Sequence, residues 1–577
     1  MPLEIRGKCA ILPSMSQEKK AKLPKKEKIF VDSETLEMPF PPEVLAEADD
    51  IASHGQASIE QEIARGERRD FRDVFTVTID PVRARDFDDA LSLREVIPAS
   101  ANPRYAESSG EARGSGEAKQ YEVGVHIADV SFYVRLGTKL DAEAQKRATS
   151  IYLIDRVIPM LPHALSNDLC SLKPGVDRLA FSAVFTMDNE ANILNEWFGR
   201  TVINSNKRFT YEEVEALVAT RAEDPERSEG KNNFVKGDAD RSSTSGSLEV
   251  ELQSAGEFRT ELAKLKDLAH KLDKKKIKAG ALTFEEDEYH YEVDTEGKPI
   301  SIIKEERLES HKLVEDFMLL ANKQVAEHVS KLIKNQDHAF VYRVHDRPDP
   351  EKLQDFFAFV KLFGHPSTAL RASKKITPQV LNSFLKTLAG SPDEDVINDA
   401  AVRSMSRATY STKNIGHFGL AFKHYTHFTS PIRRYPDLLV HRLFDYYLRK
   451  QPIPFELLQN LDQLCTNASE REQFATIAER DSIKLAQCRY LEERKDKTYD
   501  GLIAWLANFG LFIEELSTGA RGLVHFSNLP KDYYIFDEKK MRVIGKRTHT
   551  TYHLGQTVKV RVLSADEEKR LIDFELA

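Results

Sequence analysis

The sequence predicts a mixed α/β fold, a sheet with packed helices, followed by a small C-terminal β-barrel. Two observations predict it. From Phe75 to about Glu493, apolar strand-like runs alternate with long amphipathic helical stretches, whereas from Lys497 to Ala577 the texture changes to short alternating strands punctuated by Gly. Of the 577 residues 41% are apolar, enough for several buried cores, and the length suits about three or four domains. Lys and Arg total 83 against 92 for Asp and Glu, a net charge of −9, which disfavours a general polyanion binder but leaves local basic patches open.

The elements follow in order. Residues 1–40 carry a basic run, Lys19 to Lys28, read as a solvated tail. Pro42 to about Arg69 is helical in pattern, and FTVTID (Phe75–Asp80) is a strand. Two stretches, 98–120 and 219–247, are rich in Ser, Gly, Glu and Arg and too poor in large apolar groups to order themselves, so they are expected to be disordered insertions. Strand-like Tyr121–Val134 follows the first, and a charged helix, Arg259–Ala279, follows the second. Residues 309–334 form an amphipathic helix with Leu313, Phe317, Leu320, Val325, Val329 and Leu332 on its apolar stripe. The expected units are an N-terminal extension (1–70), a main region (71–445), a helical connector (446–496) and a barrel (497–577).

No apolar run reaches the roughly 18–20 residues that span a bilayer, and the N-terminal segment lacks the pattern of a secretory signal. Cys9, Cys170, Cys465 and Cys488 are scattered without Cys-x-x-Cys pairs, so they read as reduced packing thiols. A cytoplasmic chain, monomeric and without a membrane partner, is expected.

The sharpest chemistry lies in TVTIDPVRARDFDDALSL, where Asp80, Asp86, Asp88 and Asp89 fall within ten residues. Carboxylates this close repel one another, and a hard divalent cation relieves the conflict. A solvated acidic loop paired with Arg83 and Arg85 is the competing reading, and this segment alone leaves both open. An EF-hand lacks its glycine and distal glutamate. In HYTHFTSPIRRYPDLLVHRLF, Arg433 and Arg434 follow a Ser-Pro turn, a setting suited to phosphate recognition, although an ion pair with Asp437 is the better reading for Arg434. Thr149–Pro174 mixes Pro, Ser and Asn with apolar groups as a cavity-lining loop does, and Tyr152 there could stack a base or simply fill a core. His417, His424 and His427 are close in sequence but lack HExxH or Cys partners, so they read as packing or hydrogen-bonding residues rather than zinc ligands.

Taken together, TIDPVRARDFDDALSL, VGVHIADVSFYV, IPMLPHALSNDLCSLKPGVDRLAFS, ESHKLVEDFMLLAN, GHFGLA and HFTSPIRRYPDLLVHR resemble the RNB family of processive 3′-to-5′ exoribonucleases, nearer ribonuclease R than ribonuclease II. The resemblance implies an RNB catalytic domain before the OB-fold barrel, and hydrolysis of single-stranded RNA to nucleoside 5′-monophosphates with one or two Mg²⁺ ions (Mn²⁺ as an alternative). It implies that Asp80, Asp86 and Asp89 hold or orient the metal, that Asp88 is most critical for cleavage, and that Arg433 contacts the scissile phosphate. It further implies that Tyr152 stacks on the 3′-terminal nucleotide and that Glu479 lies near the exit of the RNA path. The C-terminal segment resembles the RNA-binding repeat of the ribosomal S-one type, with Phe509, Phe512 and His525 at its stacking positions.

The sequence departs from that family in lacking complete cold-shock domains before the catalytic segment and a basic tail after the barrel. The expectation is a weaker entry funnel for RNA and poorer action on structured substrates. Two other classes remain as rivals: a non-catalytic RNA-binding protein and a metal phosphatase acting on small esters.

Overall fold

A computed structural model describes residues 31–96, 119–219, 256–283, 288–333, 340–363, 376–388, 394–538 and 540–577. The basic run Lys19–Lys28 and nearly all of both expected insertions lie outside these residues. Only their edges are placed: Gln120 already belongs to a strand, and Ala219 ends the helix Tyr211–Ala219.

Nine strands build the first half: β1 (Arg69–Asp70), β2 (Thr76–Ile79), β3 (Asp89–Val96), β4 (Gln120–Ala128), β5 (Ile151–Tyr152), β6 (Val157–Ile158), β7 (Asp177–Met187), β8 (Ile193–Asn204) and β9 (Lys207–Phe209). Seven form one sheet in the order β1-β8-β7-β4-β3-β2-β9, and β5 pairs with β6 separately. The middle of the sheet is antiparallel, while β2 and β9 pair in parallel with Thr78 opposite Arg208. Strand β7 is buried along nearly its whole length, because helices cover the sheet. Phe181 of β7 stacks on Phe444 of the helix Tyr435–Leu448 at 5.6 Å. That contact fixes the helix carrying Tyr435 and Asp437 against the sheet's centre.

Three expectations need correction here. The strand expected over Tyr121–Val134 ends at Ala128, because the buried Asp129 carboxylate turns inward to Arg68 (2.9 Å) and Arg200, and a short helix, Val130–Tyr133, follows. In the helix Glu309–Ile333, Leu332 is 44% exposed and Ile333 takes the buried position, since the step from Val325 through Val329 continues by four. Gln120, assigned to the first insertion, is the first residue of β4.

Two antiparallel pairs, the hairpin β10 (Glu288–Val293) with β11 (Pro299–Glu305) and the long-range pair β12 (Tyr342–His345) with β13 (Ala408–Ser411), precede the helix Phe455–Glu492. This helix packs on β5 through Ala475 and Ala478, and its last turn enters the barrel core through Cys488 and Leu491. It thus ties the two halves together. The barrel is closed by β14 (Thr498–Ala507), β15 (Gly510–Glu515) and β16 (Arg521–His525), with β20 (Thr557–Asp566) and β21 (Leu571–Leu576) completing the ring of five strands. Between β16 and β20 lies a three-stranded meander, β17 (Tyr534–Asp537), β18 (Arg542–Gly545) and β19 (Thr551–His553). Cys170, Cys465 and Cys488 are free and buried. Among the described residues no helix is long and apolar enough to cross a membrane.

Candidate active site

Strand β2 runs into the acid turn, and Pro81 ends its ladder because proline has no N–H to donate. Asp80 is anchored from below: its N–H donates to the Phe209 carbonyl of β9 at 3.0 Å. Its carboxylate is buried, and Oδ2 has no hydrogen-bond partner. Asp89 opens β3 opposite Ile127, and Asp88 is 3% exposed just before it.

Asp88 reaches across to the Ser-Pro turn. Its Oδ1 accepts from the Ile432 N–H at 2.8 Å, and its Oδ2 accepts from Arg433 Nε at 3.2 Å. Arg433 Nη2 donates in turn to Ser430 Oγ at 2.9 Å, so the guanidinium is held at both ends while its side chain remains 42% exposed. A fixed, half-exposed guanidinium is suited to an incoming anion. Arg434 lies differently: its Nη2 pairs with buried Asp437 at 2.7 Å, as expected from the sequence.

Tyr152 does not fill a core. It is 40% exposed, its hydroxyl donates to Asp86 Oδ2 at 3.3 Å, and its N–H donates to Glu479 Oε1 at 3.2 Å. Glu479 therefore sets the backbone of the β5 hairpin from the long helix, and burial raises its carboxyl. Four segments distant in the chain, the acid turn, β5, the Ser-Pro turn and the helix Phe455–Glu492, meet here.

The electrostatics follow from burial. Burial pushes the Asp88 carboxyl up to about 8, against the pull of Arg433 and the Ile432 N–H. Asp80 and Asp89 are also raised, by burial first, with the charges of Asp88 and Asp86 adding at Asp80 and that of Asp80 adding at Asp89. Groups so placed release protons when a cation arrives. The donor set is entirely hard oxygen, with one carboxylate oxygen buried and unpartnered, which fits a divalent ion such as magnesium. Among the described residues, no three His, Cys, Asp or Glu side chains close on a single ion-sized point.

The solvated-loop reading required Arg83 and Arg85 as partners. Both are exposed, and among the described residues neither forms an ion pair with the aspartates. The cation that does serve the turn is Arg208 of β9, which sequence reasoning missed. Its Nη2 donates to the Pro81 carbonyl, its guanidinium lies 5.7 Å from the Phe87 ring centroid, and its charge partly offsets the rise at Asp80. Only the parallel pairing of β9 with β2 brings it there.

The three suspect histidines are engaged elsewhere. His417 Nδ1 accepts from the Leu420 N–H at 3.2 Å, His424 Nδ1 accepts from Asn414 at 2.7 Å, and His427 Nδ1 shares a hydrogen bond with the Tyr410 hydroxyl at 2.8 Å. In the barrel, Leu511, Ile513 and Val524 point inward and are buried, so Phe512 and His525 occupy the outer face by strand alternation. Phe509 is 43% exposed and meets Phe512 edge-on at 6.0 Å.

Comparison with known proteins gives this geometry a context. The RNB domain family matches residues 68–450, and the S1 RNA binding domain matches residues 492–576. Ribonuclease R 1 of Lactococcus lactis subsp. lactis is 36% identical over 543 residues, covering 93% of this chain and 59% of that protein. Ribonuclease R of Thermotoga maritima is 37% identical over 546 residues, covering 93% of this chain and 68% of that protein. Among solved structures, Mycoplasma genitalium RNase R in complex with ribose methylated single-stranded RNA shares 25% identity at a TM-score of 0.72, covering 93% of this chain and 78% of that one. This chain thus spans a part of the length of these relatives.

Proposed function

This chain belongs to the RNB family, and on that premise we propose that it hydrolyses single-stranded RNA from the 3′ end, releasing nucleoside 5′-monophosphates with the help of bound Mg²⁺. The observation that carries the reading is the pair of buried carboxylates on the acid turn, Asp80 and Asp88, with the unpartnered Asp80 oxygen in the same site as a half-exposed Arg433 and an exposed Tyr152. A protein that merely gripped RNA would gain nothing from burying several carboxylates together, which is costly without a cation.

Asp80, Asp86 and Asp89 would hold the metal or orient its ligands. When bound, Mg²⁺ supplies charge to polarise the scissile phosphate and to acidify an attacking water. Asp88 keeps Arg433 aimed through Nε, and each of its oxygens retains a lone pair with which to orient that water or a second ion. Arg433 offers its remaining guanidinium donors to charge growing on the phosphate oxygens. Tyr152 stacks the terminal base, and its hydroxyl bond to Asp86 keeps base and acid turn in register. Glu479 fixes the backbone from which Tyr152 projects. Phe512 and His525, with Phe509 beside them, stack bases of the incoming strand on the barrel.

Incubation with long single-stranded RNA and, separately, with a nitrophenyl phosphate ester tests the assignment. Mononucleotides accumulating from the RNA without a ladder of intermediates support it, and turnover of the small ester alone identifies a phosphatase instead.

A further inference from the structure

The meander β17–β19 is not needed to close the barrel. Its inner side is packed, with Tyr534, Val543 and Tyr552 in the barrel's core cluster. Its outer tip is different. Lys531, Lys546 and Arg547 are exposed, and among the described residues none of the three forms an ion pair. They surround Tyr533, which is 69% exposed and has Lys546 Nζ 5.8 Å from its ring centroid.

The tip is built rather than loose. Asp532 accepts the N–H groups of Arg547 (2.9 Å) and Thr548 (2.7 Å) as well as the Thr548 hydroxyl, which closes Lys531–Tyr533 against Lys546–Thr548. The Lys546 N–H donates to the Tyr533 carbonyl at 2.9 Å, and Arg547 Nη2 donates to the Lys531 carbonyl at 2.7 Å. These bonds spend the acid at the centre of the tip inside the turn, and the Thr548 hydroxyl above all holds its carboxyl below the usual range. What remains outward is cationic and aromatic, on a chain whose net charge is −9. The Phe526 ring, next to His525, lies 5.8 Å from that of Tyr534, the residue after Tyr533, so the meander is anchored beside the end of β16.

We propose that this tip is a second RNA contact, in which Lys531, Lys546 and Arg547 take the sugar–phosphate backbone of a single strand and Tyr533 stacks one of its bases. A polyanion with exposed π-faces matches both features at once, whereas an acidic peptide would leave the aromatic ring unused. The inference rests on RNA being the substrate, and the tip shares no residue with the hydrolytic centre.

The test is equilibrium binding of a long unstructured RNA and of a short oligomer, in EDTA, across a series of KCl concentrations. The full chain is compared with the triple variant Lys531→Gln/Lys546→Gln/Arg547→Gln and with Tyr533→Ser. For the long RNA, the triple variant is expected to flatten the dependence of log K on log salt by about 2, from ~0.7 for each neutralised contact. Tyr533→Ser is expected to weaken long-RNA binding about tenfold. Short-oligomer binding and Mg²⁺-dependent hydrolysis stay within twofold of wild type, and unfolding temperatures do not move. If the triple variant fails to fold, the double variant Lys531→Gln/Lys546→Gln, which keeps Arg547's bond to the Lys531 carbonyl, carries the same test. An unchanged slope and affinity for long RNA in a folded variant overturns the inference, as does an equal loss for long and short RNA. Failure of the wild-type chain to bind either RNA would overturn the substrate assignment itself.

Discussion

Arg433 Nε and Asp88 Oδ2 meet at 3.2 Å although 345 positions separate the two residues in the chain. The contact joins the turn that would bind metal to the turn that would bind phosphate, so loss of either partner disturbs both. Arg433→Ala is expected to lower kcat by about 10²–10³-fold, the loss typical of one well-placed donor to a developing oxyanion. Arg433→Lys should recover little, because an ammonium cannot bridge Asp88, Ser430 and a phosphate with a fixed fork. Single-turnover cleavage rates at saturating RNA provide the measurement.

Metal binding and pH should be linked with a definite sign. In the folded, metal-free protein Asp80, Asp88 and Asp89 keep their protons above the ordinary value of about 4. The folded state therefore binds more protons than the unfolded one from about that value up to the about 8 reached at Asp88, and the contribution of these groups to stability falls as pH rises through the window. Mg²⁺ reverses this by compensating the charges, so the rise in unfolding temperature that it causes should grow with pH. Asp80→Asn should raise the metal-free unfolding temperature at the alkaline end of the window and abolish the Mg²⁺ effect. Calorimetric scans with EDTA and with Mg²⁺ check both.

Tyr152 separates stacking from hydrogen bonding. Tyr152→Phe removes only the hydroxyl bond to Asp86 and should leave the final product length unchanged, with kcat within about tenfold of wild type. Tyr152→Ala removes the ring and should lengthen the limit product while raising KM for short RNA. Gel analysis of end products distinguishes the two variants.

Arg208 is expected to act by positioning. It ties the start of the acid turn at Pro81 and lies against Phe87 near its end. Arg208→Ala should speed amide exchange across residues 81–88 and lower kcat about tenfold, with exchange in β4 and β7 unchanged. A purely structural role would instead raise exchange throughout the sheet.

How much of this was legible in the sequence depends on how local each feature is. The acid turn was visible because Asp80, Asp86, Asp88 and Asp89 are neighbours, and so was Arg434's pairing with Asp437, three residues away. The five barrel strands could be read from their alternation. Arg208 could not, because nothing local to Lys207–Phe209 says that β9 runs beside β2. Nor could the Ile432 N–H be foreseen as a partner of Asp88, since a backbone donor leaves no mark on the sequence. The meander escaped because its strands are three or four residues long and interrupted by charge, too short for a period to emerge. Leu332 was misplaced by a single residue because two adjacent apolar side chains, Leu332 and Ile333, compete for one stripe.

Metal-assisted cleavage of RNA from the 3′ end rests on the acid turn and its buried carboxylates, Asp80 and Asp88. Its most direct test is a time course on 5′-labelled single-stranded RNA with Mg²⁺ or EDTA, run for the wild-type chain and for Asp88→Asn. The account predicts that the label passes to a short limit oligomer as unlabelled mononucleotides leave the 3′ end, a reaction that requires Mg²⁺ and falls at least about 10²–10³-fold in Asp88→Asn while RNA affinity is retained. Equal cleavage in EDTA, or undiminished cleavage by Asp88→Asn, would contradict it.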